Sequence, residues 1–375
     1  MADITAIDLH NLTSSEEVAN IIETSAKTLI DNPDLANSLP AIMLRGAPGV
    51  GKSTIVRTVA EKLGIGFIDV RLAQMERVDF AGLPSIKDGM TEWNVPSFWP
   101  RDMKSKGIIL LDEITSAPSD CQVAAYSVVL DRRIPNSNYV LPNGWLIVAA
   151  GNRTCDRAVV KTMSSALANR FVHFEVEANA EDWVKWATIN EINPAVVGFI
   201  NFRPGLLFKM EGQNLEQGWP SPRSWERVSN SIKMFGNNSN IMRKVIYGLI
   251  GNSVGLEFME FYKMSTEFDS ILEIMLDENK EFVLPDKADK RYAISSAVIY
   301  HLWNGDAIDT EQRVNGFYKI LMKMPSDFAA MMVRAAMLGN KKVKAMDAMK
   351  MIMTNKNYAT AAKLFANAAT NIGTL

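Results

Sequence analysis

The sequence predicts an α/β fold followed by an all-helical region, and three observations lead there. From about Ala41 to Val176, short runs rich in aliphatic and β-branched residues alternate with helical patterns and turn residues, the signature of a parallel sheet with crossover helices. Each run is short and nearly continuously apolar, as strands buried on both faces are. After Ala178 the strand signals stop and helical patterns separated by turns continue to the end. The composition fits an ordinary globular protein: 375 residues, 47% hydrophobic and 22% charged. At about 100 to 200 residues per domain this length suggests two or three domains, and wholesale disorder is excluded. With 40 basic against 42 acidic side chains the net charge is −2, which argues against binding nucleic acid or anionic membrane by bulk charge and leaves local patches open.

Five strands are expected in order: Ala41–Arg45, Gly66–Arg71, Gly107–Asp112, Trp145–Ala150 and Val172–Val176. The helical patterns that follow are Glu181–Ile189, Pro194–Phe199, Pro222–Phe235 and Ile241–Tyr262, then shorter ones. A boundary is expected near Ala178 and a softer one near Gly236. No period of about 20 to 50 residues recurs, so a solenoid or propeller is not expected.

The strongest motif is Gly46-Ala-Pro48-Gly49-Val50-Gly51-Lys52-Ser53-Thr54, which fits G-x-x-x-x-G-K-[ST]. It follows an apolar strand and opens the helical run Thr54–Leu63, the setting its mechanism requires. Glycines let backbone N–H groups converge on phosphate oxygens, and the helix N-terminus adds positive potential. Lys52 is expected to reach the β- and γ-phosphates and the Ser53 hydroxyl to ligate magnesium.

Gly107–Asp112 is a buried strand ending in adjacent carboxylates, Asp112 and Glu113, at the sheet edge where ligands bind in open α/β folds. Asp112 would hold the magnesium, and Glu113 would orient and deprotonate an attacking water. No guanine-reading Asn/Thr-Lys-x-Asp motif is present, so ATP is favoured over GTP. Asn152, at the tip of the strand expected between the two motif strands, has the chemistry to hydrogen-bond the water or the γ-phosphate. Arg170, just before an expected edge strand, is placed to enter a neighbouring subunit's site. Ser221 and Pro222 read as an N-cap and first-turn proline, with Arg223 on the first turn where the helix dipole disfavours a cation.

Read in order, these residues resemble the AAA+ ATPases, and more narrowly the MoxR family: GAPGVGKST, ILLDEITSAPSDCQVAAYSVVLDRRIP, LPNGWLIVAAGNRT, SSALANRFVHFEV and PSPRSWERVS stand in that family's order. The resemblance covers about residues 12 to 235. It implies a P-loop AAA+ domain over 1–178 with a parallel five-stranded sheet, a helical lid with a second sensor over 179–235, and an α-helical C-terminal region over 236–375. It implies catalytic roles for Glu113, Asn152, Arg170 and Arg223. ATP contacts are implied at Gly46, Pro48, Gly49, Val50, Gly51, Lys52, Ser53 and Thr54, and magnesium at Ser53 and Asp112. By the same resemblance, Gly82–Pro100 is an insertion interrupting the second helix, Arg133–Gly144 a hairpin, and Arg153 stands where the family commonly has proline. Family members are typically ring hexamers that remodel or activate a partner protein, often one with a von Willebrand factor A domain, and sometimes assist metal-cofactor insertion. An AAA+ motor or loader acting on nucleic acid is the competing class.

Other features weigh less. Trp93, Phe98 and Trp99 are either a loop that grips apolar segments or a small satellite core. Trp183 and Trp186 are expected in the core. His10, His173 and His301 are isolated, and Cys121 and Cys155 form no disulfide framework, so magnesium with ATP is the one metal expected. The amino terminus lacks a signal-peptide pattern and no apolar run approaches about 18 residues, so a cytoplasmic protein off the membrane is expected. Nine of the 21 methionines lie between Met322 and Met353, where core filling is favoured over a docking surface. From Met331 onward seven basic residues face one acidic residue, a solvated face by default and a patch for nucleic acid or an acidic partner otherwise.

Overall fold

The computed structural model describes residues 12–153, 163–210, 217–236, 238–266 and 270–363. His10, Thr154 and Cys155 lie outside the described residues. The chain divides into two compact units, Met1–Ala178 and Asn179–Leu375.

The first unit runs β1 (Leu12–Thr13), α1 (Ser15–Asp31), β2 (Ala41–Arg45), α2 (Lys52–Leu63), β3 (Gly66–Arg71) and α3 (Arg77–Ala81). It continues through β4 (Leu83–Lys87), β5 (Met90–Asn94), β6 (Gly107–Asp112), α4 (Ser119–Asp131), β7 (Trp145–Gly151), α5 (Ser165–Ala168) and β8 (Phe171–Val176). Six strands form one sheet in the order β1-β8-β2-β7-β6-β3, every pairing parallel. All five expected strands are present within a residue of their bounds. The sheet has six strands because Leu12 and Thr13 pair with Glu175 and Val176, a two-residue addition too short to carry a periodic signal. Consequently β8 is not the edge strand: β1 pairs with its far end, at Glu175 and Val176.

The sheet is buried on both faces, which explains the continuous apolar runs. Met43, Ile109, Leu111, Ile147 and Ala149 pack with Ala124, Ala125 and Val128 of α4 in one core. Side chains alternate along a strand, so the equally buried Ile42, Ile108, Leu110, Leu146 and Val148 face the other way. There α1 and α2 pack on each other and on the sheet.

The segment Gly82–Pro100 contains an antiparallel hairpin, β4 paired with β5, which the apolar-run criterion does not reveal. Its signal is the turn. Lys87 pairs with Met90 across Asp88 (φ 51°) and Gly89 (φ 77°), the two left-handed residues of a type I′ turn. Trp99 beyond it is not part of an exposed grip. It is 1% exposed, its Nε1 donates to the Phe80 carbonyl at 3.0 Å, and its ring lies 5.2 Å from that of Phe80 and 5.1 Å from that of Phe98. Trp99→Ala is therefore expected to destabilise the fold by about 3–5 kcal/mol, as removal of a buried large aromatic does. Denaturant unfolding checks it, and a loss below about 1 kcal/mol would return Trp99 to the surface. The expected hairpin at Arg133–Gly144 is present in short form: Arg133 and Val140 make an antiparallel bridge, flanked by backbone hydrogen bonds from Leu141 to Arg132 at 2.7 Å and from Ile134 to Tyr139 at 3.4 Å. Arg132 holds the segment further, donating to the carbonyls of Pro142 at 2.8 Å and Trp145 at 2.7 Å.

The second unit is helical: α6 (Ala180–Ile189), α7 (Pro194–Phe202), α8 (Pro222–Phe235), α9 (Ser239–Ile250), α10 (Asn252–Thr266), α11 (Ile271–Leu276), α12 (Ala288–Trp303), α13 (Thr310–Leu321), α14 (Ser326–Met337) and α15 (Ala345–Thr354). The expected single helix over 241–262 is broken in two. Gly251 sits at φ 79°, outside the helical region, and starts a new helix at Asn252. The late methionines divide between core and surface. Met324 and Met332 are buried and Met322, Met331 and Met337 pack against the same core, whereas Met346, Met349, Met351 and Met353 of α15 are exposed. Trp183 is buried and Trp186 half-buried beside it, with ring centroids 6.3 Å apart. No helix among the described residues is long and apolar enough to cross a membrane.

Candidate active site

The sheet order determines which residues meet. β7 lies between β2 and β6, so the phosphate loop after β2, the carboxylates after β6 and Asn152 after β7 emerge side by side at one edge. The ladders run to that edge in register, with Arg45 opposite Gly151 and Leu111 opposite Ala149.

The loop Gly46–Gly51 owes its shape to two glycines in particular. A Cβ on Gly46 would lie 2.4 Å from the Val176 carbonyl oxygen, so the end of β8 passes too close for any side chain. Gly51 caps α2 at φ 103° and ψ 11°, a conformation that costs other residues strain. Helix α2 therefore begins at Lys52 with its first N–H groups turned toward the loop. Pro48 and Gly49 are half-buried, Val50 is buried and Thr54 is exposed.

Lys52 is 8% exposed, and its ammonium donates to the carbonyls of Gly46 at 2.6 Å and Ala47 at 3.1 Å and to Asn152 Oδ1 at 3.2 Å. Ser53 Oγ donates to Asp112 Oδ2 at 2.6 Å. The first two residues of α2 thus touch the tips of two different strands. Glu113 follows at φ 57°, a strained position for a non-glycine residue. Its N–H donates to Asp112 Oδ1 at 2.9 Å, so both Asp112 oxygens are engaged while the exposed Glu113 carboxylate has no partner among the described residues. Oxygen donors at Ser53 and Asp112 match what magnesium takes, and the glycine cradle with a buried ammonium matches a triphosphate.

Asp69 on β3 is a neighbour that sequence reasoning did not identify. Its side chain is 16% exposed, with Arg57 at 3.5 Å and Arg71 at 3.6 Å from Oδ2, and no partner for Oδ1. Burial, and then the negative charge of Asp112, raise its pKa above the ordinary 3.8, opposed by the two arginines. A carboxyl whose pKa is raised by folding binds its proton more tightly in the native state, so its stabilising contribution is present below pH 3.8 and lost as pH rises through the folded value. Asp69→Asn should gain on the native protein in Tm as pH rises from about 4 to 7. Paired thermal melts across that range check it, and a constant gap would show that Asp69 ionises normally.

Arg170 is exposed between α5 and β8, and Arg223 is exposed on the first turn of α8, in the second unit. Neither side chain makes a hydrogen bond or ion pair with a described residue. The Ser221 cap is as expected, accepting the Ser224 N–H at 3.2 Å. Arg153 is drawn within its own chain to Glu175 and Glu177, each at 3.7 Å.

Residues 41–171 match the family model described as the AAA domain of the dynein-related subfamily. A Lon protease from Metamycoplasma arthritidis is 30% identical over 106 residues, a stretch that takes in 28% of this chain and only 13% of that protein's length. Among solved structures, a RuvB variant from Thermotoga maritima has 16% identity and a TM-score of 0.37, covering 76% of this chain and 84% of its own. NtrX from Brucella abortus has 13% identity and a TM-score of 0.35, covering 82% and 67%. At these TM-scores neither structural likeness bears on activity. With a parallel sheet whose edge gathers Lys52, Ser53, Asp112 and Asn152, and with the family match spanning that same sheet, residues 41–171 carry an AAA domain of the P-loop fold.

Proposed function

We propose that this chain binds and hydrolyses ATP with magnesium in a cytoplasmic ring of identical subunits, a hexamer, and uses the cycle to remodel or activate a partner protein in the manner of MoxR-type ATPases. The observation that carries the ATPase reading is the pairing of Lys52 with Asn152 and of Ser53 with Asp112, which brings three motifs from three strands into hydrogen-bond distance. In this reading the N–H groups of Gly49, Val50, Gly51, Lys52, Ser53 and Thr54 take the phosphate oxygens, with Gly46 and Pro48 shaping the loop. Lys52 turns its ammonium to the β- and γ-phosphates. Ser53 and Asp112 would hold magnesium, which would supply positive charge against the triphosphate. Asn152 orients a water whose oxygen attacks the γ-phosphorus, Glu113 takes the proton, and the bond to the β,γ-bridging oxygen breaks with its electron pair leaving on ADP. Arg170 reaches the site of the adjoining subunit, and Arg223 acts on the nucleotide from a helical lid over 179–235, with 236–375 as a further helical region.

The partner of this reading is a protein with a von Willebrand factor A domain or a metalloenzyme awaiting its cofactor. Phosphate release from ATP by the full chain, with and without magnesium, tests the activity. No magnesium-dependent release would end the reading. A second reading, an AAA+ motor or loader on nucleic acid, draws on the exposure of Arg334, Lys341, Lys342, Lys344, Lys350, Lys356 and Lys363. ATPase stimulation by DNA or RNA that fades with salt would favour it.

A further inference from the structure

The ladder between β6 and β7 ends at Leu111 and Ala149, before either strand tip is reached. Beyond it, Thr115 joins the two. This residue sits in the short 3-10 turn Ile114–Ser116 that Glu113 enters from its left-handed conformation. It is 4% exposed, and its Oγ1 accepts the backbone N–H of Asn152 at 3.1 Å. The approach is close: a Cβ on Gly151 would lie 2.6 Å from both Oγ1 and Cγ2 of Thr115. The turn is in turn held from α4, where the buried Gln122 amide donates to the carbonyls of Ile114 at 3.0 Å and Ala117 at 3.4 Å. Hydrogen bonds joined through the backbone of the turn therefore link α4 to the turn after Glu113 and the turn to Asn152, whose side chain accepts from Lys52.

Resting on the ATPase reading, we propose that Thr115 is a positioning residue that sets Asn152 relative to Glu113, through its hydroxyl and not merely through packing. The hydroxyl fixes the backbone of Asn152, and the Asn152 carboxamide then has one placement against the water that Glu113 deprotonates. Its loss leaves a part-buried N–H unpaired and lets the tip of β7 shift relative to the turn, and shifts of about 1 Å in such groups lower rates by up to about a hundredfold.

The test compares Thr115→Val, which keeps the shape and removes the hydroxyl, with Thr115→Ser, which keeps the hydroxyl and removes the methyl, both in the full chain. Thr115→Val is expected to lower kcat for ATP about tenfold or more, with KM and the Kd of a fluorescent ATP analogue within about threefold of native. Thr115→Ser is expected to stay within about threefold of the native kcat. Equal kcat losses in the two variants would assign the effect to packing against Gly151 and overturn the proposal. A native kcat in Thr115→Val overturns it too. If the native chain shows no hydrolysis that depends on Glu113, the ATPase reading falls and this proposal with it. A variant that melts early is scored by nucleotide binding: a Kd shift that matches the kcat loss means general disorder, which also counts against the positioning role.

Discussion

Glu113→Gln is expected to lower ATP turnover by about 10²- to 10⁴-fold, the range that a lost general base costs, while ATP still binds with near-native affinity. The expectation follows from how the residue is held. The Glu113 backbone is fastened by its N–H to Asp112, and its carboxylate is exposed without a partner among the described residues. An isosteric amide therefore disturbs no packing and leaves the Ser53–Asp112 contact in place. Single-turnover phosphate release measured beside nucleotide binding separates the two effects. The same variant, saturated with ATP, should hold its subunits and partner together long enough for affinity capture. Hydrolysis at the native rate would remove Glu113 from the role of base.

Lys52→Ala should show the opposite division, losing ATP binding by about a hundredfold or more. The Lys52 ammonium is buried and already bonded to Gly46, Ala47 and Asn152, so it is preorganised beside the loop. Each charge-assisted bond it would make to a phosphate is worth roughly 1.5–3 kcal/mol, a factor of about ten to a hundred in affinity. The fold should persist, because three carbonyl-type acceptors at a loop can turn to water. Titration with a fluorescent ATP analogue, paired with a thermal melt, checks both halves. Native affinity in a folded Lys52→Ala protein would mean that the glycine loop does not hold a triphosphate. Together the two variants distinguish a site that binds from one that reacts.

Much of the nucleotide-binding unit was readable because its signals are local. The strands are apolar runs of a few residues, and Gly51 and Lys52 mark a strand-to-helix turn by their own conformational demands. The capped start of α8 was readable for the same reason, since Ser221 and Pro222 act within one turn of the helix. What escaped was either too short or too distant. Two residues of β1 carry no period, and the β4–β5 hairpin declares itself only through Asp88-Gly89. The break at Gly251 went unseen because a glycine inside a helical pattern is common and only its φ reveals the interruption. For Trp99 the sequence left an exposed grip and a small core both open, and the contact of its indole with the Phe80 carbonyl decides for the core.

Composition and spacing were sufficient for the chemistry of the individual groups: a phosphate loop, a pair of carboxylates, a polar strand tip. Their assembly was a matter of tertiary structure. Ser53 and Asp112 are 59 positions apart and Lys52 and Asn152 are 100 apart, so both contacts exist only because β7 is placed between β2 and β6. Strand order is chosen by burial of whole sheet faces, a property of many residues at once, and no short window of sequence contains it. The link from Thr115 to Asn152 belongs to the same class: a threonine after an acid pair is unremarkable in the chain and acquires a partner only when two strand tips are brought together.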